Sequence, residues 1–480
     1  MYSTRRLRFI GLALAAWVIA PPAFSQAQGR PDSPAKNSQT QQPPEGAPAD
    51  ESSQDTPTTL FPHSEASRYW LSGQMNFILQ WHGAFPSPYQ GPQSLRPAGE
   101  NALSRVLTLY AGAQLSDKIE LLFDMESAGG RGISDAFGLA GFTNLDVVRN
   151  PSLGSTPYIA RGMIHAVIPF SSETAPAERG PLSTFNKLPV RRLEVRVGKI
   201  GMADFFDLNS AGGDSHLQFL NWTVDNNGGY DYAADTRGYT VGIILDYEDR
   251  IWGLRYAGVL MPRVANGIDY QWNITRAHAD NFEFELRRGF LPKRDAVIRL
   301  LSYFNYANMG DYRTAIRQFE AGITPVPDIT AHPLQQTLKY GFGVNLEQGL
   351  TKWLTAFGRF GWNEGRHESF AYTEVNQSVS LGAVAHGKIW RRSLDRAGFA
   401  FTSNALSADH RLYLELGGHG FLLADGRLNY GREKIVEAFY TFHLYRGIFW
   451  SFDLQHINNP GYNRDRGPVL VPGVRLHLEL

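Results

Sequence analysis

The sequence predicts an all-β protein, a transmembrane antiparallel β-barrel of about 16 strands with long extracellular loops. Three observations point to it. Apolar and polar residues alternate with period two in segment after segment, long and short connections alternate along the chain, and the last segment alternates up to the final residue.

Alternation is the pattern of a strand with two unlike faces, because successive side chains leave a strand on opposite sides. In KIELLFDME, Ile119, Leu121, Phe123 and Met125 oppose Glu120, Asp124 and Glu126. In RRLEVRVGK, Leu193, Val195 and Val197 oppose Arg192, Glu194 and Arg196. LTAFGRFGW sets Leu354, Ala356, Phe360 and Trp362 against Thr355, Phe357 and Arg359. IFWSFDLQ sets Ile448, Trp450, Phe452 and Leu454 against Ser451, Asp453 and Gln455. A soluble sandwich would alternate too, so the connections have to decide.

Candidate strands start near Arg68, Ser104, Lys118, Pro157, Arg191, Arg237, Arg250 and Asn281 in the first half. In the second they start near Arg294, Thr337, Lys352, Asn376, Ala397, Arg432, Gly447 and Leu470. The connections Trp81 to Asn101, Ser127 to Thr156 and Gly201 to Thr236 are long, whereas Ser116-Asp117, Glu248-Asp249, Leu291-Pro292 and Arg446 read as tight turns. Long loops at one end and short turns at the other are an outer-membrane barrel's signature. The segment Ser171 to Val190 should be short and is not, which reads as an elaborated periplasmic turn or a miscounted strand pair.

In the last strand, GVRLHLEL, Val474, Leu476, Leu478 and Leu480 point outward and Arg475, His477 and Glu479 inward. An apolar end of this kind resembles the signal read by the outer-membrane assembly machinery, although the usual last residue there is aromatic. Trp70, Trp81, Tyr110, Trp252, Tyr256, Trp362 and Trp450 lie near strand ends, where interfacial girdles are expected.

Bulk composition agrees. With 46 Lys+Arg against 46 Asp+Glu the formal net charge is zero, which offers no basic footing for nucleic acid. Aromatics at 12% and 48 glycines suit strands and turns better than a helical membrane bundle. The absence of cysteine excludes disulfides and thiolate metal sites. MYSTRRLR followed by FIGLALAAWVIA (Phe9–Ala20) has the charge and apolar core of a secretory signal, too short to span a membrane, with small residues for cleavage near Ala23–Ala27. Residues 1–25 are therefore expected to be a signal peptide. Residues 26–66, rich in Pro, Gln, Ser and acids, should be a disordered periplasmic lead-in, and residues 67–480 the barrel.

Between Gly198 and Gly242 the chain carries Phe206-Asp207 with Asn209, Gln218-Phe219 with Asn221-Trp222, Tyr230-Asp231-Tyr232, and Ala234 to Tyr239 reading ADTRGY. This run resembles the central motif of the OprB-type carbohydrate-selective porins. FPSPYQGPQSL (Phe85–Leu95), GLAGFTN (Gly138–Asn144) and NNPGYNRDRGPV before the last strand extend the resemblance over most of the chain after Arg68. Where that family often has a Tyr-Ala-His-Asp run, this chain has Ser210-Ala211-Gly212-Gly213-Asp214.

The resemblance implies an outer-membrane channel for small sugars, with the third long loop folded inward as a constriction. Its candidate pore and sugar-binding residues are Asp207, Asn209, Asp214, Gln218, Asn221, Trp222, Tyr230, Asp231, Tyr232, Asp235 and Arg237. Hydroxyls need paired donors and acceptors in place of water, and pyranose faces lie flat on aromatic rings, while binding must stay weak enough for release. Asp235 and Arg237 are expected to pair; the bland alternative is that the whole set only pins the loop to the wall. Strand alternation adds inward charges at Glu120, Asp124, Arg161, Arg192, Glu194, Arg196, Arg255, Arg299, Arg359 and Glu437. The partners implied are small sugars, outer-membrane lipid with lipopolysaccharide, and the assembly machinery; association as a homotrimer is left open.

Other chemistries fit less well. DNNGGYDYAADTRG (Asp225–Gly238) resembles a calcium loop, but an EF-hand needs glycine and glutamate where Tyr230 and Thr236 stand. An irregular calcium site at Asp225, Asn227 and Asp231 stays open. Ser215 and His216 are adjacent, so on extended chain they point apart, unlike a hydrolase pair. The histidines show no HExxH spacing and the glycines no nucleotide motif, so neither an enzyme nor a cofactor is expected. Two rivals are a polysaccharide-export barrel, which would want a one-signed lumen, and a secreted soluble carbohydrate-active β-protein.

Overall fold

The structure is a computed structural model that describes residues 58–64, 66–146, 153–288, 291, 294–332 and 336–480. The expected signal peptide, the lead-in up to residue 57 and Pro292 of one expected turn lie outside the described residues. The described chain belongs to one compact unit, Asp55–Leu480.

Its strands are β1 (Tyr69–His82), β2 (Glu100–Ser116), β3 (Ile119–Gly130), β4 (Tyr158–Pro169), β5 (Thr174–Pro176), β6 (Lys187–Pro189), β7 (Arg192–Gly201), β8 (Tyr239–Glu248) and β9 (Trp252–Val259). They continue with β10 (His278–Arg287), β11 (Ala296–Ala307), β12 (Thr337–Gly349), β13 (Leu354–Asn363), β14 (Gln377–His386), β15 (Arg396–Ala405), β16 (Glu433–Tyr445), β17 (Ile448–Asn458) and β18 (Val469–Glu479). Sixteen of them close into one antiparallel barrel in which β1 pairs with β18 and β4 with β7. Closure leaves no unpaired edge, the condition for a sheet to sit in lipid.

β5 and β6 take no part in the wall and pair with each other as a two-stranded hairpin. They fill the segment 171–190, which is thus an elaborated turn at the short-turn end and not a missed strand pair. At the same end, the Leu60 amide donates to the Glu479 carbonyl (2.9 Å), so the last residues of the expected disordered lead-in have fixed contacts with the wall.

The two faces sort as the alternation requires. Leu121, Phe123, Leu254, Phe282, Phe342 and Phe452 are exposed on the outside, while Glu120, Asp124, Glu283 and Arg475 are buried on the inside. Trp70 and Tyr110 correct the girdle expectation. Each shares the parity of inward residues, and the two stack inside the lumen with ring centroids 6.2 Å apart. Parity within a strand outweighs nearness to its end. Trp81, Trp252, Tyr256, Trp362 and Trp450 keep the outward parity.

The apolar core lies within the barrel. Phe142, Met202, Phe206, Trp222, Tyr230 and Phe370, all from long loops, pack together there and bury their faces against one another. A short helix α1 (Trp222–Asp225) lies within the barrel, and two more stand at the long-loop end: α2 (Tyr312–Glu320), started by the Asp311 carboxylate, and α3 (Ala408–Glu415), started by the Ser407 hydroxyl.

Candidate functional site: the path through the lumen

The loop between β7 and β8 folds inward, and most of its polar groups face the wall. The Asp207 carboxylate meets the Arg359 Nε at 2.9 Å and accepts from Asn345 at 3.1 Å, with Asp207 itself in the left-handed region at φ 58°. Asn209 donates to Asn345 (2.7 Å) and accepts the Ala211 and Gly212 amides. Gln218 donates to the Ser210 carbonyl (2.8 Å). Asn221 caps α1 and donates to the Gly141 carbonyl and to Gln455, while Glu437 accepts the Leu220 and Asn221 amides.

Trp222 donates to the Asn144 carbonyl and stacks on Tyr372 at 5.5 Å and 9°. Tyr230 donates to Asn281 (2.8 Å). The Asp231 carboxylate accepts the Phe370, Ala371 and Tyr372 amides and pairs with Lys339 at 3.0 Å. The loop lies so close that a Cβ at Gly229 would sit 2.6 Å from Gly361, a spacing that only glycine allows.

Two expectations change here. Asp235 does not form a charge pair with Arg237: its carboxylate accepts the Arg237 and Tyr239 backbone amides and the Tyr270 hydroxyl. The Arg237 guanidinium instead lies over the Tyr158 ring, 3.7 Å from its centroid. The three residues of the irregular calcium reading do not converge either. Asp231 faces Lys339, Asn227 donates to the Phe360 carbonyl, and Asp225 accepts from the Asn226 side chain.

The charges on the inner face of the wall are mostly paired, several of them through cross-strand neighbours set by the register. Asp246 faces Arg255, Arg255 faces Glu283, and Glu285 faces Arg299. The corresponding ion pairs measure 2.9, 2.8 and 2.8 Å. Arg192 and Arg196 both pair with Glu194, and Arg161 bridges Asp124 (2.8 Å) and Asp204 (2.5 Å). Arg359 also donates to the Gly212 and Val224 carbonyls, tying the loop across its width. Asp204, Asp246, Glu283, Glu285, Lys339 and Glu347 belong to this network and were not singled out from the sequence. NFEFELR shows the alternation that would have found the glutamates of β10.

Two cavities remain open along the lumen. One of about 460 Å³ lies toward the long-loop end and is lined by Glu126, Tyr158, Arg161, Asp225, Tyr232 and Arg237 among others. Of the candidate loop residues, Asp214, Tyr232 and Arg237 border it. The other, about 750 Å³, opens at the short-turn end beside Trp70, Arg192, Glu194, Arg196 and Arg255. In the first, burial pushes the Asp225 carboxyl well above its ordinary value, Arg359 only partly opposing this. One of its oxygens has no hydrogen-bond partner.

Among the described residues no group of His, Asp and Glu could hold a metal ion, and no helix is long and apolar enough to cross a membrane. The arrangement suits passage of a polar solute between paired donors and acceptors.

A search of curated protein sequences gives no match. Among solved structures, the high-pH structure of Pseudomonas putida OprB aligns with a TM-score of 0.61 at 15% identity, over 86% of this chain and 94% of that one. The outer-membrane channel DcaP of Acinetobacter baumannii aligns at 0.46 and 9% identity, over 86% of this chain and 97% of that one. The first of these likenesses supports the barrel fold. The model of the carbohydrate-selective porin, OprB family, matches residues 92–480, so the chain belongs to that family of channels.

Proposed function

We propose that the protein is an outer-membrane porin through which small neutral sugars, glucose-like monosaccharides and short oligosaccharides, diffuse passively down their gradient. The observation that carries this reading is the cavity of about 460 Å³, where Glu126, Arg161 and Arg237 stand beside the rings of Tyr158 and Tyr232. Charged donors and acceptors beside these aromatic rings can replace a sugar's hydration. Signs are mixed throughout the lumen, which favours a neutral polar solute over an anion; an export barrel for charged polysaccharide would want one sign. The chain would reach the outer membrane by cleavage of residues 1–25 and through assembly signals in β18.

The test is swelling of liposomes that carry the purified protein. Glucose should enter faster than charged solutes of matched size. Equal rates would leave a general pore and remove sugar selectivity, and recovery of the protein in soluble form without detergent would remove the porin reading.

A further inference from the structure

The segment 171–190 is too long for its place, and its location in the lumen gives it a use. From the short-turn end it rises along the inner wall of β2–β4. The Thr184 amide and the Ser183 hydroxyl both donate to the Glu120 carboxylate at 2.8 Å, and His165 Nδ1 holds the same carboxylate at 2.7 Å. Thr184 and Phe185 are buried, Phe185 edge-on to His165 with centroids 5.7 Å apart. Thr184 seats on Gly112 of β2, where a Cβ would come within 2.4 Å of its methyl, so the wall carries a notch for it. Arg179 ties the other arm to the Ser67 carbonyl (2.9 Å), and β5 pairs with β6. A segment held this way is a fixed part of the lumen.

Its tip reaches the boundary between the two cavities. Pro181, Leu182 and Asp204 are the residues that border both. Asp204 comes from the inward loop and is clamped by Arg161 at 2.7 and 2.5 Å, whereas Pro181 and Leu182 come from the turn at the opposite end. Leu182 packs against the apolar core inside the barrel, which fixes its position.

We infer that the turn 171–190 forms a second constriction from the short-turn side, and that Leu182 and Pro181, set against the Asp204–Arg161 pair, determine the largest solute that passes. A polar clamp on one side supplies hydrogen bonds, and a rigid apolar tip on the other supplies only a steric limit. This arrangement sorts neutral solutes by size without adding charge. The inference rests on the proposed function for the identity of the solute, but not for the position of the neck.

Two variants test it. In one, Leu182→Ala shortens the tip; in the other, residues 177–186 are replaced by two glycines, removing the tip with its anchors. Folding is checked by heat-modifiable gel mobility. Salt conductance in planar bilayers and the disaccharide-to-monosaccharide ratio in liposome swelling are the readouts. Both should rise, roughly twofold or more in the shortened variant and less in Leu182→Ala.

If Leu182→Ala folds and leaves conductance and ratio unchanged, the turn is not the neck. The same result in a folded shortened variant would overturn the inference as well. Conductance reads the neck without any sugar, so a channel that widens in salt but passes no monosaccharide would refute the proposed function alone.

Discussion

The β11–β14 side of the lumen and the β3–β4–β7 side carry similar residues and use them for opposite ends. On the first, Lys339, Asn345, Arg359 and Asn363 all donate to the inward loop or the segment above it. On the second, Glu126, Tyr158 and Arg161 border open space, with Glu126 accepting from the Tyr239 hydroxyl at 3.1 Å and Arg161 clamped to Asp204. The first side holds the loop along its length; the second, apart from the Arg161–Asp204 clamp, borders the open cavity. Within the loop, Asp231 and Asp225 show the same division. Asp231 is saturated by an ammonium and three amides, while Asp225 keeps an oxygen without a partner beside the cavity. A charged residue in this lumen is therefore assigned by what remains unpaired, since a buried carboxylate spent on amides and a cation has nothing left to offer a sugar.

The largest expected effect breaks the attachment side. Asp231→Ala leaves the fully buried Lys339 ammonium without its counter-charge and three amides without an acceptor. Removing one partner of a buried pair costs about 3–5 kcal/mol. The temperature at which heat-modifiable mobility is lost should fall, and single-channel current should become noisy as the loop detaches. A variant with native stability and a quiet current would move Asp231 out of the anchoring role.

On the open side the same kind of substitution should spare the fold. Arg237→Ala removes a guanidinium that sits on the Tyr158 ring and borders the cavity, while the Asp235 turn, made with the Arg237 backbone amide, survives. Stability should change by no more than about 2 kcal/mol, the scale of a half-buried cation–π contact. Sugar block of the current should weaken by roughly fivefold, the equivalent of one hydrogen bond of about 1 kcal/mol. Unchanged block with unchanged stability would place Arg237 outside the solute path.

The strands were legible because alternation is a local property. Each of the sixteen expected starts falls within a few residues of an observed barrel strand, from Arg68 against Tyr69 to Leu470 against Val469. Parity was the reliable guide to facing, and the girdle assignment of Trp70 and Tyr110 failed where proximity to a strand end replaced it. The loop motif marked the right segment, but its roles were not legible. Lys339 reaches Asp231, and Asn345 reaches Asp207, only because the loop folds back across the barrel, and no local spacing encodes that. Asn221, Trp222 and Asp231 are satisfied by backbone groups of other loops, Asp207, Asn209 and Tyr230 by wall side chains, and Gln218 and Asp235 partly by the loop's own backbone.

The smallest expected effect concerns Asp225 and appears only as pH changes. Burial favours the neutral acid there, so the folded protein holds a proton that the unfolded chain releases near the ordinary aspartate value. A raised folded-state value makes the folded state bind more protons than the unfolded chain. Its stability must then fall as pH rises above about 4, and the decline continues until the raised value is passed. Asp225→Asn keeps the shape of the neutral acid and cannot ionise. The unfolding temperatures of native and variant protein should run parallel at low pH and separate above it, the variant becoming relatively more stable toward neutral and alkaline pH. Asp231→Asn should instead cost stability across that range, because it removes the negative charge opposite Lys339. If Asp225→Asn also lost stability at pH 7, its carboxylate would be ionised and partnered, and the two sides of the loop would no longer differ.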